Sequence, residues 1–173
     1  NLSNMLCAAT TSSLMGISDK HIANVMKTFT GVEHRLESVA IIKDVTYIND
    51  SKATNLDSVS VAIQSFNKPV VLILGGRNKG ADFRLLLPHI KSSHVRDIIS
   101  YGEAGGQIST ALGDAVRSVQ VTDLNSAVKT AQRLAAPGDV VLLSPGCASF
   151  DQFANFEERG QYFKTKVMEM MAA

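Results

Sequence analysis

Two lysines and an arginine stand where a small anionic ligand could be gripped: Lys52 within "NDSKATN", Lys79 within "GGRNKGADF", and Arg35 beside His34. The first stretch follows a β-rich run and leads into a helical one. Unpaired backbone N–H groups and the positive end of a helix dipole favour a phosphate or carboxylate there, alongside Asp50, Lys52 and Thr54. The plainer alternative is that Thr54 or Asn55 caps the helix and Lys52 is only solvated. In the second stretch Gly75, Gly76 and Gly80 allow close backbone approaches and bring Lys79 to the loop, where it could equally be a solvated turn lysine. It is not a nucleotide-cradling P-loop, because Lys79 precedes Gly80 and no Lys-Ser or Lys-Thr pair closes a glycine frame. A third stretch, "SPGCASFDQF", offers Ser149 and its backbone as donors to a small anion. Cys147 has no histidine near it in sequence and reads better as a small apolar filler than as a nucleophile.

Loops of this kind need rigid elements behind them. Residues 38–42, 45–48, 70–74, 97–101, 118–121 and 140–143 are short β-rich or apolar runs, the first two arranged around Lys43-Asp44 as a hairpin or two edge strands. Helical spacing links Leu56, Val59, Ile63 and Phe66, and again Leu124, Val128, Ala131 and Leu134, while 153–170 is the longest helical stretch. Pro88 predicts a break or restart within 83–91. Strand and helix in alternation imply an α/β fold: a Rossmann-like, mainly parallel sheet with right-handed crossovers and helices on both faces. Ligands of such sheets collect beyond the carboxyl ends of the strands, which directs attention to 49–55, 75–82 and 144–151. Ahead of the sheet, 2–15 reads as a helix stopped by Gly16, and Ser18 as the cap of a second helix with Ile22, Val25, Met26 and Phe29 on one face. The expected division is therefore 1–33, an appendage of two helices, and 34–173, the Rossmann-like domain.

Composition removes several function classes. Lys plus Arg number 17 against 16 Asp plus Glu, so the field that draws a protein onto nucleic acid or an acidic membrane is missing. No apolar run is long enough to cross a bilayer and no targeting signal is visible, while Cys7 and Cys147 alone cannot form the disulfide framework of a small secreted domain; a reducing, cytoplasmic setting is expected. His21, His34, His89 and His94 show no zinc spacing, so no metal is expected on this chain. "YGEAGG" does not match the dinucleotide fingerprint. The abrupt start in an apolar-periodic segment suggests a piece of a longer protein.

The strings "NLSN", "HRLE", "YINDSKATN", "LGGRNKGADF" and "LLSPGCASFDQFANFEERGQYF" resemble, in order, the C-terminal motifs of the Mur ligases, and the resemblance covers nearly the whole chain. The Lys-Gly-x-Asp-Phe loop and the Ser-Phe-Asp segment before Arg159-Gly160 are most similar to the D-glutamate-adding branch. There is no Asp-Asn-Pro-Arg signature of the diaminopimelate- or lysine-adding relatives. The resemblance implies a three-domain, ATP-dependent, ADP-forming amide ligase of peptidoglycan synthesis. This chain would supply the C-terminal amino-acid-binding domain and the last helices of the central ATPase domain. The implied partners are D-glutamate, ATP and UDP-N-acetylmuramoyl-L-alanine, with magnesium and most of the ATP contacts on absent domains, and the enzyme is expected to be monomeric.

Carried over residue by residue, Asn1, Asn4, Arg35 and Asp50 would lie near ATP, Arg35 at its phosphates and Asp50 at its ribose. Lys52 and Thr54 would face the reaction centre and the amino acid; Lys79, Ser149, Phe150 and Phe156 would form the D-glutamate pocket. Two departures stand out: the histidine usual before the first asparagine is missing, and Gly146 replaces an alanine. The residues themselves leave Arg35 with two readings, a phosphate contact between domains or a hinge residue paired with an acid such as Glu37. With three cations but no evident general base or phosphate cradle, the chain is expected to hold half an active site, to hinge at 31–34, and to be catalytically silent alone. Alternatives at this stage are a sister ligase such as one adding L-glutamate to folate, a binding-only α/β module, and a receiver-like signalling domain; the last would need clustered acids for magnesium, which Asp50 lacks.

Overall fold

The computed structural model describes residues 2–171, and the chain divides into two compact units, Asn1–Gly31 and Val32–Ala173. The first consists of α1 (Leu2–Leu14) and α2 (Asp19–Thr28). Gly16 ends the first helix with φ +85°, a conformation that costs glycine little. Ser18 occupies the N-cap position of α2, but its hydroxyl lies 2.7 Å from Nδ1 of His21 and makes no cap bond to the helix backbone. None of residues 3–31 is buried, and Leu14, Met15, Val25 and Phe29 are all more than half exposed.

The second unit holds one six-stranded sheet: β1 (Glu37–Ile42), β2 (Val45–Asn49), β3 (Val70–Gly75), β4 (Val95–Tyr101), β5 (Arg117–Gln120) and β6 (Val140–Gly146). Their spatial order is β1-β2-β6-β3-β4-β5, with β1 antiparallel to β2 and every other neighbouring pair parallel. Of the two readings of the first runs, hairpin or two edge strands, the hairpin is formed. Ile42 pairs with Val45, and the two turn residues Lys43 and Asp44 take φ +50° and +62°, the positive pair that matches a two-residue turn to strand twist.

Alternate residues of the central strands serve two cores. Val70, Leu72, Leu74, Ile98, Val140 and Leu142 point to a cluster with α3 (Leu56–Gln64), a 3-10 turn (Phe83–Leu86), α4 (Leu87–Lys91) and α5 (Gly105–Leu112). Val71, Ile73, Ile99, Tyr101, Val141 and Leu143 point to the opposite cluster with α6 (Leu124–Leu134) and α7 (Phe156–Met171). Burial on both faces explains why β3 and β6 read as continuous apolar runs rather than alternating ones. Pro88 sits in the first turn of α4, where its missing N–H costs nothing, so it restarts the helix as expected. The last helix begins at Phe156 rather than 153. Asn155 accepts from Glu158 N at 2.7 Å and Glu158 accepts from Ala154 N at 2.8 Å, which caps the helix three residues later than apolar spacing suggests.

Candidate functional site

Inserting β6 between β2 and β3 makes the segments after these three strands neighbours at one carboxyl rim, although they are about 25 and 70 residues apart in the chain. Main-chain bonds lock them together. Gly146 N donates to Ala53 O at 2.9 Å, Arg77 N to Ala148 O at 2.8 Å, and Ala148 N to Arg77 O at 3.1 Å. The third segment begins later than read from sequence, since Ser144, Pro145 and Gly146 still belong to β6 and are buried.

In the first loop, Asn55 is the helix cap, its side chain accepting from Ser58 N at 2.9 Å, which leaves Thr54 half-buried and free of that task. Lys52 is exposed and its ammonium stands 5.6 Å from the centre of the Phe156 ring, which also forms a T-shaped pair with His34. In the second loop Lys79 is exposed and makes no ion pair or hydrogen bond with the other described residues. Its neighbours Arg77 and Asn78 are engaged with Glu103 and Gln107. In the third, Ser149 is buried, its carbonyl accepting from Gln152 N and Phe153 N, while Phe150 is 61% exposed. Burial pushes the Cys147 thiol up to about 12, so it stays protonated and unreactive near neutral pH.

Beside the first loop lies a cleft of about 200 Å³ lined by Arg35, Asp50 and Lys52, with Leu36, Ala53 and Val61 among its apolar lining. Arg35 is not paired with Glu37; that acid binds Lys164 at 2.7 Å, Asn49 Nδ2 at 3.0 Å and His34 N at 3.0 Å. Asp50 is buried, accepting from Ser144 Oγ at 2.8 Å and Leu36 N at 3.2 Å. Burial outweighs these bonds and Arg35's charge, raising its carboxyl from 3.8 to about 6. The unfolded chain therefore releases this proton first, and between about pH 4 and 6 the folded state holds the extra proton, so stability falls as pH rises. We expect this group to lower stability by on the order of 1 to 3 kcal/mol across that window, and Asp50→Asn to flatten the decline in urea titrations at stepped pH. An unchanged slope in the variant would contradict the assignment.

The described residues do not fit a magnesium site. Both Asp50 oxygens are engaged, and of Glu33, His34 and Glu37, whose ligand atoms lie within 4.8 Å of one another, the two carboxylates already share the Lys164 ammonium. Asn4 is exposed on α1, in the first unit, and Asn1 lies outside the described residues.

Sequence reading passed over the polar groups beneath the rim. Arg159 is fully buried and donates to Ser51 Oγ (2.9 Å), Ser51 O (2.8 Å) and Cys147 O (3.0 Å). Asn49 is buried too, its Nδ2 within 3.0 Å of His34 Nδ1 and its Oδ1 accepting from Ser51 N at 3.1 Å. One signal was available: Arg159 lies four and eight residues before Phe163 and Val167, on the stripe of α7 that faces the core.

A family profile described as Mur ligase, glutamate ligase domain, matches residues 34–147. The UDP-N-acetylmuramoylalanine--D-glutamate ligase of Lactobacillus delbrueckii subsp. bulgaricus is 47% identical over 172 residues, which is 98% of this chain and 37% of that protein. The protein of the same name from Salinibacter ruber is 42% identical over 99% of this chain and 37% of its own length. The chain thus spans little more than a third of these relatives. Among solved structures, a UDP-N-acetylmuramate-alanine ligase from Thermotoga maritima superposes with TM-score 0.75 at 14% identity, covering 99% of this chain and 37% of that one. A bifunctional folylpolyglutamate synthase/dihydrofolate synthase from Yersinia pestis gives 0.63 at 18% identity, over 90% of this chain and 35% of that one. At those identities the two structures support the fold and nothing finer.

Proposed function

This chain belongs to the Mur ligase family, and from that premise we propose that it is the C-terminal, amino-acid-binding part of a ligase that adds D-glutamate to UDP-N-acetylmuramoyl-L-alanine. The observation that carries the reading is the convergence at one sheet rim of the loops bearing Lys52, Lys79 and Ser149. The names and 42 to 47% identities of the two relatives select the D-glutamate branch.

In the proposed reaction the γ-phosphoryl group of ATP passes to the L-alanine carboxylate, giving an acyl phosphate and ADP. The D-glutamate amine then attacks the acyl carbon, phosphate leaves with the C–O bond electrons, and the nitrogen loses a proton as the amide forms. Both steps gather negative charge, which fixed cations meet without reorganising. Lys79 holds a substrate carboxylate as a point charge, with Ser149, Phe150 and Phe156 around the side chain. Lys52 and Thr54 face the reacting end, and holding the amine in line adds an entropic advantage. Arg35 and Asp50, with the asparagines at 1 and 4, belong to the ATP side. ATP's phosphates, magnesium and the UDP-sugar are assigned to polypeptide outside this chain, and residues 1–33 to the end of the central ATPase domain. The uncovered apolar side chains of α1 and α2 favour that assignment. Closure of the domains about 31–34 completes the site, and the cytoplasm, where such nucleotides are available, is the compartment proposed.

Titrating the chain with D-glutamate and with L-glutamate while following amide shifts tests the pocket. Shifts at 50–55, 76–82 and 147–151 with the D-isomer are expected, and a response confined to other residues would remove the assignment. We further expect no ADP release from these 173 residues with all three substrates present; measurable turnover would overturn the half-site reading.

A further inference from the structure

We propose that Arg159 is a positioning residue for the amino-acid pocket, holding the three rim loops in register from beneath without touching the substrate. This rests on the proposed function. Arg159 has no exposed surface, so contact with any ligand is excluded for the side chain itself. Its fork is divided between loops instead: Nε and one terminal nitrogen hold Ser51 in the Lys52 loop, and the other terminal nitrogen holds the Cys147 carbonyl in the Ser149 loop.

The Lys79 loop is fitted against the same guanidinium. A Cβ on Gly76 would come 3.2 Å from the terminal nitrogen that binds Cys147 and would run into the Ala148 carbonyl oxygen. Glycine is therefore required for the Lys79 loop to lie against Arg159. Ser51 also passes the constraint on, because its hydroxyl accepts from Arg159 and donates to the Phe156 carbonyl at 2.7 Å, which fixes the residue whose ring receives Lys52. One planar fork of donors thus reaches the Lys52 and Ser149 loops and packs on the Lys79 loop, an arrangement that a lysine's single ammonium cannot copy.

The ATP side is held separately. Asp50 takes its bonds from Ser144 and Leu36, not from Arg159. Loosening the fork should consequently disturb the amino-acid pocket more than the ATP contacts.

The test uses Arg159→Lys and Ser51→Ala in the full-length ligase, with KM for D-glutamate, ATP and the UDP-sugar measured separately. Arg159→Lys is expected to raise the D-glutamate KM at least tenfold and lower kcat, with the ATP KM within about twofold of wild type. Ser51→Ala should act in the same direction by a smaller factor. If Arg159→Lys does not fold, Ser51→Ala decides. Folded variants with wild-type D-glutamate kinetics would overturn the proposal, as would equal KM losses for all three substrates, which mark a merely structural role. Failure of the pocket reading itself is distinguishable, since the wild-type chain would then show no loop shifts with D-glutamate.

Discussion

Replacing Lys79 by alanine in the full-length ligase is expected to raise the KM for D-glutamate by about 30-fold to a few thousandfold while leaving the fold unchanged. Both halves of this expectation follow from where the side chain lies. In the free chain its ammonium is exposed and bonded to no described group, so its loss should alter unfolding free energy by no more than about 0.5 kcal/mol. With substrate enclosed between domains, the same loss leaves a carboxylate unpaired in a dry site, at a cost of about 2 to 5 kcal/mol, and each 1.4 kcal/mol is tenfold in affinity. Steady-state kinetics with a matched urea titration of the variant checks both. A normal KM would remove Lys79 from the pocket, and a large stability loss would mean that its role is structural.

A large stability effect is expected at Gly76. Its φ of +121° lies where side-chain-bearing residues are strained by about 1 to 3 kcal/mol, and an alanine methyl would collide with the Ala148 carbonyl oxygen. Relieving that collision separates the two strands of the Arg77–Ala148 bridge, whose bonds are worth about 1 kcal/mol each. Gly76→Ala should thus lose about 2 to 5 kcal/mol in urea denaturation. Gly80 is the control, with φ +88° but nothing within 4 Å of a built Cβ, so that Gly80→Ala carries only the conformational cost, about 1 to 2 kcal/mol. Equal losses at both positions would show that the close approach of the second and third loops does not matter.

All six strands were legible in the sequence because each carries its signal locally: two β-rich runs around Lys43-Asp44 for β1 and β2, and continuous apolar runs for β3 and β6. The rim loops were legible for the same reason, being glycine-rich or polar stretches at strand ends. Their proximity was not. Strand order is fixed by which crossover packs on which face, a matter of contacts between residues some 70 apart, and local periodicity carries no record of it. Arg35 illustrates the limit at a single residue: spacing offered Glu37 as its partner, but Glu37 is taken by Lys164, which enters from α7 more than 120 residues later.

From the sequence alone came the α/β class, the six strands, the positions of the polar and glycine-rich loops at their ends and the family, since apolar period, turn composition and motif order are all written in neighbouring residues. Tertiary structure alone decided that β6 lies between β2 and β3, that Asp50 is buried, and that Arg159 lies beneath the rim rather than in solvent. A charged side chain on a helix looks the same in sequence whether it meets water or the carbonyls of distant loops, and only packing determines which partners replace its hydration.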